Sequence, residues 1–353
     1  MADKVLMKGN EALAEAAIMA GCKHYYGYPI TPQTEIAAYM ARRMPKVGGV
    51  FLQAESEIAA INMVIGSAAA GKRTMTSSSS PGISLKSEGI SYLAGCDLPA
   101  LIVNVQRGGP GLGGIQPSQA DYFQAIKGGG HGDYKLIVLA PNSVQETVDL
   151  TFKGFDLADK YRMPVMLLSD GTIGQMMEPV SLNQSKNATY DKSWAVTGTY
   201  GKRTKNIVNS LCLRPEELEE WNKARYERYN KIAKEETLYE EYLTEDAEIC
   251  IVAFGIASRV SKNAVNAGRK LGIKAGMIRP ITLWPFPNEV LAQTAKRVKA
   301  FISVELSMGQ MIDDVKLAIN CSRPVTLCSR SGGMIMSPEE ILQKIIEVDG
   351  GKQ

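Results

Sequence analysis

Short apolar runs alternate with helix-period segments through the first half of the chain. Strands are predicted at Tyr25–Tyr28, Gly49–Leu52, Arg73–Ser77, Ala100–Val105, Lys135–Leu139 and Pro164–Ser169. Helices are predicted at Glu11–Ala20, Pro32–Arg43, Ser56–Ala70, Ile83–Ala94 and Val144–Tyr161. Nearly continuous apolar strands that alternate with helices imply a parallel sheet covered on both faces. Right-handed crossovers put the C-terminal strand ends on one edge, where ligands are usually carried. The segments YPITP, QAESE, SSSSPG and QRGGPGLGG all fall at such ends.

The pattern lapses from residue 178 to about 213, which reads as an irregular connection. Residues 214–248 hold twelve acidic and six basic residues, and Arg214–Glu245 is predicted as a charged, exposed helical linker. Alternation then resumes. Strands are predicted at Ile249–Phe254, Lys274–Ile278, Ala300–Val304 and Pro324–Cys328, with helices at Ser258–Leu271, Asn288–Ala295, Met311–Ile319 and Pro338–Glu347. The expected class is therefore α/β, two domains with parallel sheets. The expected boundaries are a first domain over 1–180, a connection and linker over 181–246, and a second, smaller domain over 247–353.

Composition narrows the partners. Forty basic and 37 acidic residues give a net charge of +3, too balanced to imply a nucleic acid or membrane partner. No apolar run is long enough to span a bilayer and the N-terminus lacks a signal-peptide core, so a cytoplasmic protein is expected. The six cysteines, Cys22, Cys96, Cys212, Cys250, Cys321 and Cys328, form no CxxC pair. They signal neither zinc nor an iron–sulfur cluster and are expected to be reduced. With only His24 and His131, a His-rich metal site is excluded and Ser–His–Asp catalysis is improbable.

Chemistry concentrates at the strand ends. In Gly27–Glu35 (GYPITPQTE), Pro32 suits the first helical position and Thr31 the N-cap, which makes this helix start a candidate seat for a small carboxylate. Glu55 and Glu57 stand where a strand gives way to an apolar helix. A carboxylate in that first turn is expected to be desolvated and suited to proton relay; simple charge compensation of the helix end is the alternative. Arg107 closes a strand and can clamp a carboxylate bidentately, against even odds of a structural surface ion pair. Gly109–Gly114 matches GxGxxG, but IQPSQ follows rather than a helix, so a substrate-side loop is preferred to a dinucleotide site. Ser77–Ser80 before Pro81 and Gly82 is a candidate anion turn and no nucleophile elbow.

Taken together these residues resemble the alpha subunit of 2-oxoacid:ferredoxin oxidoreductases over nearly the whole chain. The motifs are YPITPQTE, AESEIAAINMVIGSAAAG, SSSSPGISLKSEGISYLAG and NVQRGGPGLGGIQPSQADYFQA, followed by RPITLWPFP (Arg279–Pro287) and VELSMGQM (Val304–Met311). The branched-chain (3-methyl-2-oxobutanoate) group matches in length and motif wording, and the 2-oxoglutarate group is similar. The resemblance implies a thiamine-diphosphate-enzyme pyrimidine-binding domain followed by a transketolase C-terminal-like domain.

It further implies thiamine diphosphate as cofactor. A glutamate, matched here by Glu57, hydrogen-bonds the aminopyrimidine ring, and the thiazolium serves as electron sink for decarboxylation. Thr31 matches the family's substrate-binding threonine and Arg107 its carboxylate-binding arginine; Pro29 and Ile30 lie beside the cofactor. The GDG…NN motif that holds diphosphate and Mg²⁺ is missing, since HGD (His131–Asp133) and SDG (Ser169–Gly171) do not fit it. The resemblance therefore places diphosphate, Mg²⁺ and iron–sulfur clusters on partners: a beta subunit, a gamma subunit and a ferredoxin-like delta subunit. Coenzyme A is the implied co-substrate and ferredoxin the acceptor. The rivals are a nicotinamide dehydrogenase and a non-catalytic scaffold that keeps the fold.

Overall fold

The computed structural model describes residues 4–182 and 188–350. Residues 1–3, 183–187 and 351–353, which fall within the three expected spans, lie outside them. Among the described residues the larger sheet has seven strands. From one edge to the other they are Thr282–Trp284, Ile137–Leu139, Pro164–Asp170, Ala100–Gln106, Thr74–Ser78, His24–Gly27 and Val50–Gln53. All neighbours pair in parallel except Thr282–Trp284, which runs antiparallel to Ile137–Leu139. The three central strands, Thr74–Ser78, Ala100–Gln106 and Pro164–Asp170, are buried at every position, the first despite its threonines and serines.

A second sheet of five strands holds Val325–Ser329, Ala300–Glu305, Ile249–Ala253, Ala275–Pro280 and Tyr239–Tyr242 in that order. The last runs antiparallel to Ala275–Pro280. Four strands were not expected from the sequence: Val5–Lys8, Met177–Val180, Tyr239–Tyr242 and Thr282–Trp284. The linker helix spans Pro215–Glu235 and stops well before Glu245, because Tyr239–Tyr242 is recruited to the sheet edge. Its Glu240 accepts from Arg279 Nε at 2.8 Å and from Lys262 Nζ at 2.5 Å, which neutralises a charged strand. Nor is the linker helix a purely solvated rod, since Tyr229 and Ile232 are buried. Val5–Lys8 pairs antiparallel with Met177–Val180, closing a two-stranded ribbon.

The two sheets share one apolar cluster, which runs from Ile61 and Leu93 through Tyr122 to Phe254 and Phe301. Arg279, buried in this contact, donates Nη1 and Nη2 to Glu146 at 2.7 and 2.8 Å. Gln119 bridges the halves as well, giving Nε2 to the Phe254 carbonyl and accepting from the Leu306 N–H. Within VELSMGQM, Glu305 accepts from the N–H groups of Gln310, Met311 and Ile312. That buried carboxylate compensates the orphan donors at the start of helix Met311–Ala318. Among the described residues no helix is long and apolar enough to cross a membrane, and all six cysteines are free.

Candidate active site

The C-terminal ends of His24–Gly27, Val50–Gln53, Thr74–Ser78 and Ala100–Gln106 lie at one edge of the larger sheet. The loop after the first is tied down from below. Tyr25 Oη and Ser77 Oγ are 2.7 Å apart, Ser77 Oγ donates to Gln33 Oε1 at 2.6 Å, and Gln33 Nε2 donates to the Tyr28 carbonyl at 3.1 Å. Gln33 is wholly buried, while Tyr28, Pro29 and Thr31 are exposed and Ile30 is half-buried. The buried glutamine thus holds an outward-facing tip.

Thr31 does not cap the helix. Helix Thr34–Arg43 starts three residues later, with Gln33 at its N-cap and no side-chain cap bond. Residues 30–33 instead form a turn closed by the Gln33 N–H on the Ile30 carbonyl at 3.1 Å, and the Thr31–Pro32 peptide is cis. That turn uses the residues expected in the first helical turn. It leaves the Thr31 carbonyl free to accept Arg107 Nη1 at 3.0 Å.

Arg107 is buried, 7% exposed, and forms no ion pair among the described residues, so the expected alternative of a surface salt bridge does not hold. Its Nη2 donates to the Leu112 carbonyl at 3.0 Å, and its Nε is buried without a partner. Its backbone N–H donates to Ser80 Oγ at 3.0 Å. Ser80 Oγ donates in turn to Asp121 Oδ2 at 2.6 Å, and Asn104 Nδ2 reaches the same oxygen at 2.9 Å. Burial raises the Asp121 pKa, opposed by those two hydrogen bonds and by the Arg107 charge. The glycine loop folds on itself, with Gly108 N–H on the Gln116 carbonyl and Gly114 N–H on the Gly108 carbonyl. Gly113 has φ +56°, and a Cβ there would lie 1.9 Å from the Gly108 oxygen, so the turn demands glycine.

Glu57 opens helix Glu57–Ala69, whose N-cap Ser56 accepts the Ala59 N–H. Glu57 is 6% exposed and Glu55 is exposed, so only one of the two acids faces the site. The Glu57 carboxylate lies against Gly82 in the turn after Thr74–Ser78. A Cβ on Gly82 would stand 2.8 Å from Glu57 Oε1 and 2.1 Å from Ser78 Oγ. Ser78 and Ser79 also present buried hydroxyls without partners.

Lys86 completes the pocket and was not anticipated. It is wholly buried in helix Pro81–Gly95, and its Nζ donates to the Ser77 carbonyl at 3.2 Å. Burial pulls its pKa down to about 8, and the Glu57 charge opposes that fall. The signal was there: Lys86 sits three residues after Ile83 and four before Ile90, on the buried face of its helix.

The structure thus joins Thr31 directly to Arg107, and both to Glu57 through the Ser80–Gly82 turn. Asp170 of SDG is buried and spent on the N–H groups of Thr172 and Ile173, at 2.8 and 3.1 Å. Among the described residues no group of acids, cysteines and histidines could hold a metal ion. What this edge offers is a buried carboxylate beside Lys86, serine hydroxyls without partners among the described residues, and a buried guanidinium whose side-chain donors meet only main-chain carbonyls. These features fit the aminopyrimidine half of thiamine diphosphate and a small carboxylate.

Comparison with known proteins gives the same direction. Residues 15–241 match the family model described as pyruvate flavodoxin/ferredoxin oxidoreductase, thiamine diphosphate-binding. Residues 247–341 match pyruvate:ferredoxin oxidoreductase core domain II. The chain is 54% identical to ketoisovalerate oxidoreductase subunit VorB of Methanothermobacter marburgensis, over 98% of each chain. It is 36% identical to 2-oxoglutarate synthase subunit KorA of Methanothermobacter thermautotrophicus, over 99% of this chain and 100% of that one. Among solved structures it is similar to a 2-oxoglutarate:ferredoxin oxidoreductase from Magnetococcus marinus with 2-oxoglutarate, coenzyme A and succinyl-CoA bound. There the TM-score is 0.88 and identity 30%, covering 98% of this chain and 65% of that chain. A split-gene transketolase shares the fold at 14% identity and a TM-score of 0.59.

Proposed function

The chain belongs to the 2-oxoacid:ferredoxin oxidoreductases as an alpha subunit, and on that premise we propose that it supplies the pyrimidine-side half of an active site for 3-methyl-2-oxobutanoate. The overall reaction is oxidative decarboxylation of the 2-oxoacid with coenzyme A, giving acyl-CoA, CO2 and reduced ferredoxin. The branched-chain substrate is favoured over 2-oxoglutarate by the 54% against 36% identity to the two kinds of relative.

The observation that carries the reading is Arg107. A buried guanidinium with its Nε unpaired and no acid hydrogen-bonded to it among the described residues is costly unless an anion completes it. Arg107 binds the substrate carboxylate, and the Thr31 hydroxyl, on the exposed tip of its loop, gives a second hold. Glu57 holds the aminopyrimidine ring and keeps the proton of the ring nitrogen in place, with Pro29 and Ile30 beside the cofactor. When bound, thiamine diphosphate supplies the electron sink for loss of CO2. Gly82 lets the SSSSPG segment pack directly against the Glu57 carboxylate, where a side chain would displace it.

The other half belongs to partners. A beta subunit holds the diphosphate and Mg²⁺, and a gamma subunit and a ferredoxin-like delta subunit complete the cytoplasmic complex, with the iron–sulfur clusters outside this chain. Leu112 and Ile115 on the glycine loop, Ile58 after Glu57 and Leu85 after the serine turn are all exposed apolar residues at this edge. They fit a surface that another subunit covers. We also keep 1–180, 181–246 and 247–353 as the proposed division of the chain, the last serving assembly.

The test is the native complex, assayed for reduction of a viologen dye by a panel of 2-oxoacids with coenzyme A. The branched-chain acid should give the highest kcat/KM. Equal or better use of 2-oxoglutarate would overturn the substrate assignment. Full activity of the Glu57→Gln complex would favour the non-catalytic scaffold.

A further inference from the structure

At the opposite edge of the larger sheet lies a cavity of about 450 Å³. It is bounded by the turn before strand Ala100–Gln106, the turn before strand Pro164–Asp170, and the linker helix Pro215–Glu235. Three arginines converge on it: Arg162, Arg225 and Arg228. Each has a buried Nε without a hydrogen-bond partner.

One carboxylate serves all three. Arg228 Nη2 donates to Asp97 Oδ1 at 2.5 Å, and Arg225 Nε stands 3.5 Å from the same oxygen. Arg225 turns its other donors to the Gly95 carbonyl and to Asn222 Oδ1. Among the described residues the Arg162 side chain makes no hydrogen bond or ion pair; its guanidinium stacks on Trp194, 4.4 Å from the ring centroid. Asp191 acts on Arg162 only at a distance, because its carboxylate is engaged by the N–H and hydroxyl of Ser193. Three arginines meet one carboxylate directly, Asp97, and Asp191 only at a distance, so the cluster keeps an excess of positive charge. A linker helix that needed only anchoring would be better served by one matched ion pair. Desolvation lowers the Arg162 pKa; the Asp97 charge opposes that fall, the Arg228 charge adds to it, and Asp191 opposes it.

We propose that this cavity binds the phosphate group of a small phosphorylated compound. Arg162, Arg225 and Arg228 hold the phosphate, and Trp221, at the cavity wall, flanks the organic part. A phosphate monoester carries about −1.5 to −2 charge at neutral pH, which complements the positive excess, and its oxygens can accept the unpaired Nε donors. Guanidinium forks suit that geometry, as do the aromatic walls for a flat organic group. The site is remote from Glu57 and Arg107 and does not depend on the reading given to them. Because one wall is the linker helix between the two sheets, occupancy would tie that helix to the first sheet.

The experiment is a tryptophan fluorescence titration of the full chain and of the assembled complex with inorganic phosphate, AMP and adenosine. Two of the three tryptophans, Trp194 and Trp221, line the cavity. Phosphate and AMP should give saturable changes that weaken with added salt, and adenosine none. Arg162→Gln should weaken both ligands about tenfold or more, with Arg162→Lys between it and the parent. Among the described residues the Arg162 side chain only stacks on Trp194, so both variants should keep the parental circular dichroism spectrum and viologen activity. No saturable change with phosphate or AMP would overturn the proposal, as would undiminished binding by Arg162→Gln. Binding by the isolated chain that vanishes in the complex would also overturn it, since a partner subunit would then fill the cavity.

Discussion

Arg107 donates Nη1 to the carbonyl oxygen of Thr31 at 3.0 Å, across 76 residues of sequence. The bond fixes the guanidinium against the turn that carries the Thr31 side chain. Its second anchor, the Leu112 carbonyl, lies in the glycine loop. The Arg107 guanidinium is therefore hydrogen-bonded to two neutral acceptors, with Asp121 acting on it only at a distance, which leaves its Nε donor available to a substrate.

Replacement of Arg107 by lysine should expose how much depends on that fork. An ammonium keeps the charge but cannot reach Thr31 and Leu112 together while still offering a donor. We expect kcat/KM for the 2-oxoacid to fall roughly a hundredfold, about 2.7 kcal/mol, chiefly through KM. Steady-state viologen kinetics on the Arg107→Lys complex read this directly. An unchanged KM would remove Arg107 from substrate binding.

Gly82→Ala tests the cradle without touching a charge. The new methyl would meet Ser78 Oγ at 2.1 Å and Glu57 Oε1 at 2.8 Å, so one of them must move. Overpacking of this kind costs about 1–3 kcal/mol. Turnover should fall well beyond what that loss of stability explains, which thermal melts and kcat measured on one preparation would separate.

Lys86 should make stability depend on pH in a particular sense. Its folded pKa, about 8, lies below the ordinary lysine value of 10.5. Between those values the unfolded chain binds more protons, so stability rises as pH climbs from about 8 to 10.5. Lys86→Met removes the buried charge. It should flatten that rise and leave the chain at least as stable at neutral pH, by about 1–3 kcal/mol. Turnover should nonetheless fall, because the Glu57 carboxylate loses its neighbouring cation. Urea melts across this pH range check the first claim and viologen kinetics the second.

Asp170 gives the opposite slope. Burial raises its pKa to about 6 from 3.8, with the bonds from Ile173 and Thr172 opposing. The folded state then holds the extra proton, so this group's contribution falls as pH rises from about 4 to 6. Asp170→Asn retains an acceptor for both N–H groups and should abolish that slope at little cost. Asp170→Ala loses the acceptor and should cost about 1–2 kcal/mol. Activity should survive Asp170→Asn, as the SDG segment serves a helix end. Loss of metal-dependent activity in that variant would reassign it.

The sheet strands were legible because a strand buried on both faces reads as a mainly apolar run, as residues 100–103 and 164–168 do. Tyr239–Tyr242 was not, because its glutamate is neutralised by Arg279 and Lys262 from distant elements. The roles of Thr31 and Lys86 were hidden for a similar reason. Thr31 acts through its carbonyl within a turn whose course depends on Gln33 reaching Tyr28, and Lys86 looks like any solvent-facing lysine until its helix is docked. Local sequence gives residue type and period; it does not say which main-chain oxygens remain free to accept.

The antiparallel strand Thr282–Trp284 comes from the second half of the chain yet finishes the first half's sheet. With the common apolar cluster, this makes the two halves one cooperative unit on unfolding. A fragment ending at residue 246 would leave Ile137–Leu139 as a bare sheet edge, open to pairing with a second copy. Its failure in solution would then be aggregation through that edge, whatever the state of the Thr31, Glu57 and Arg107 cluster.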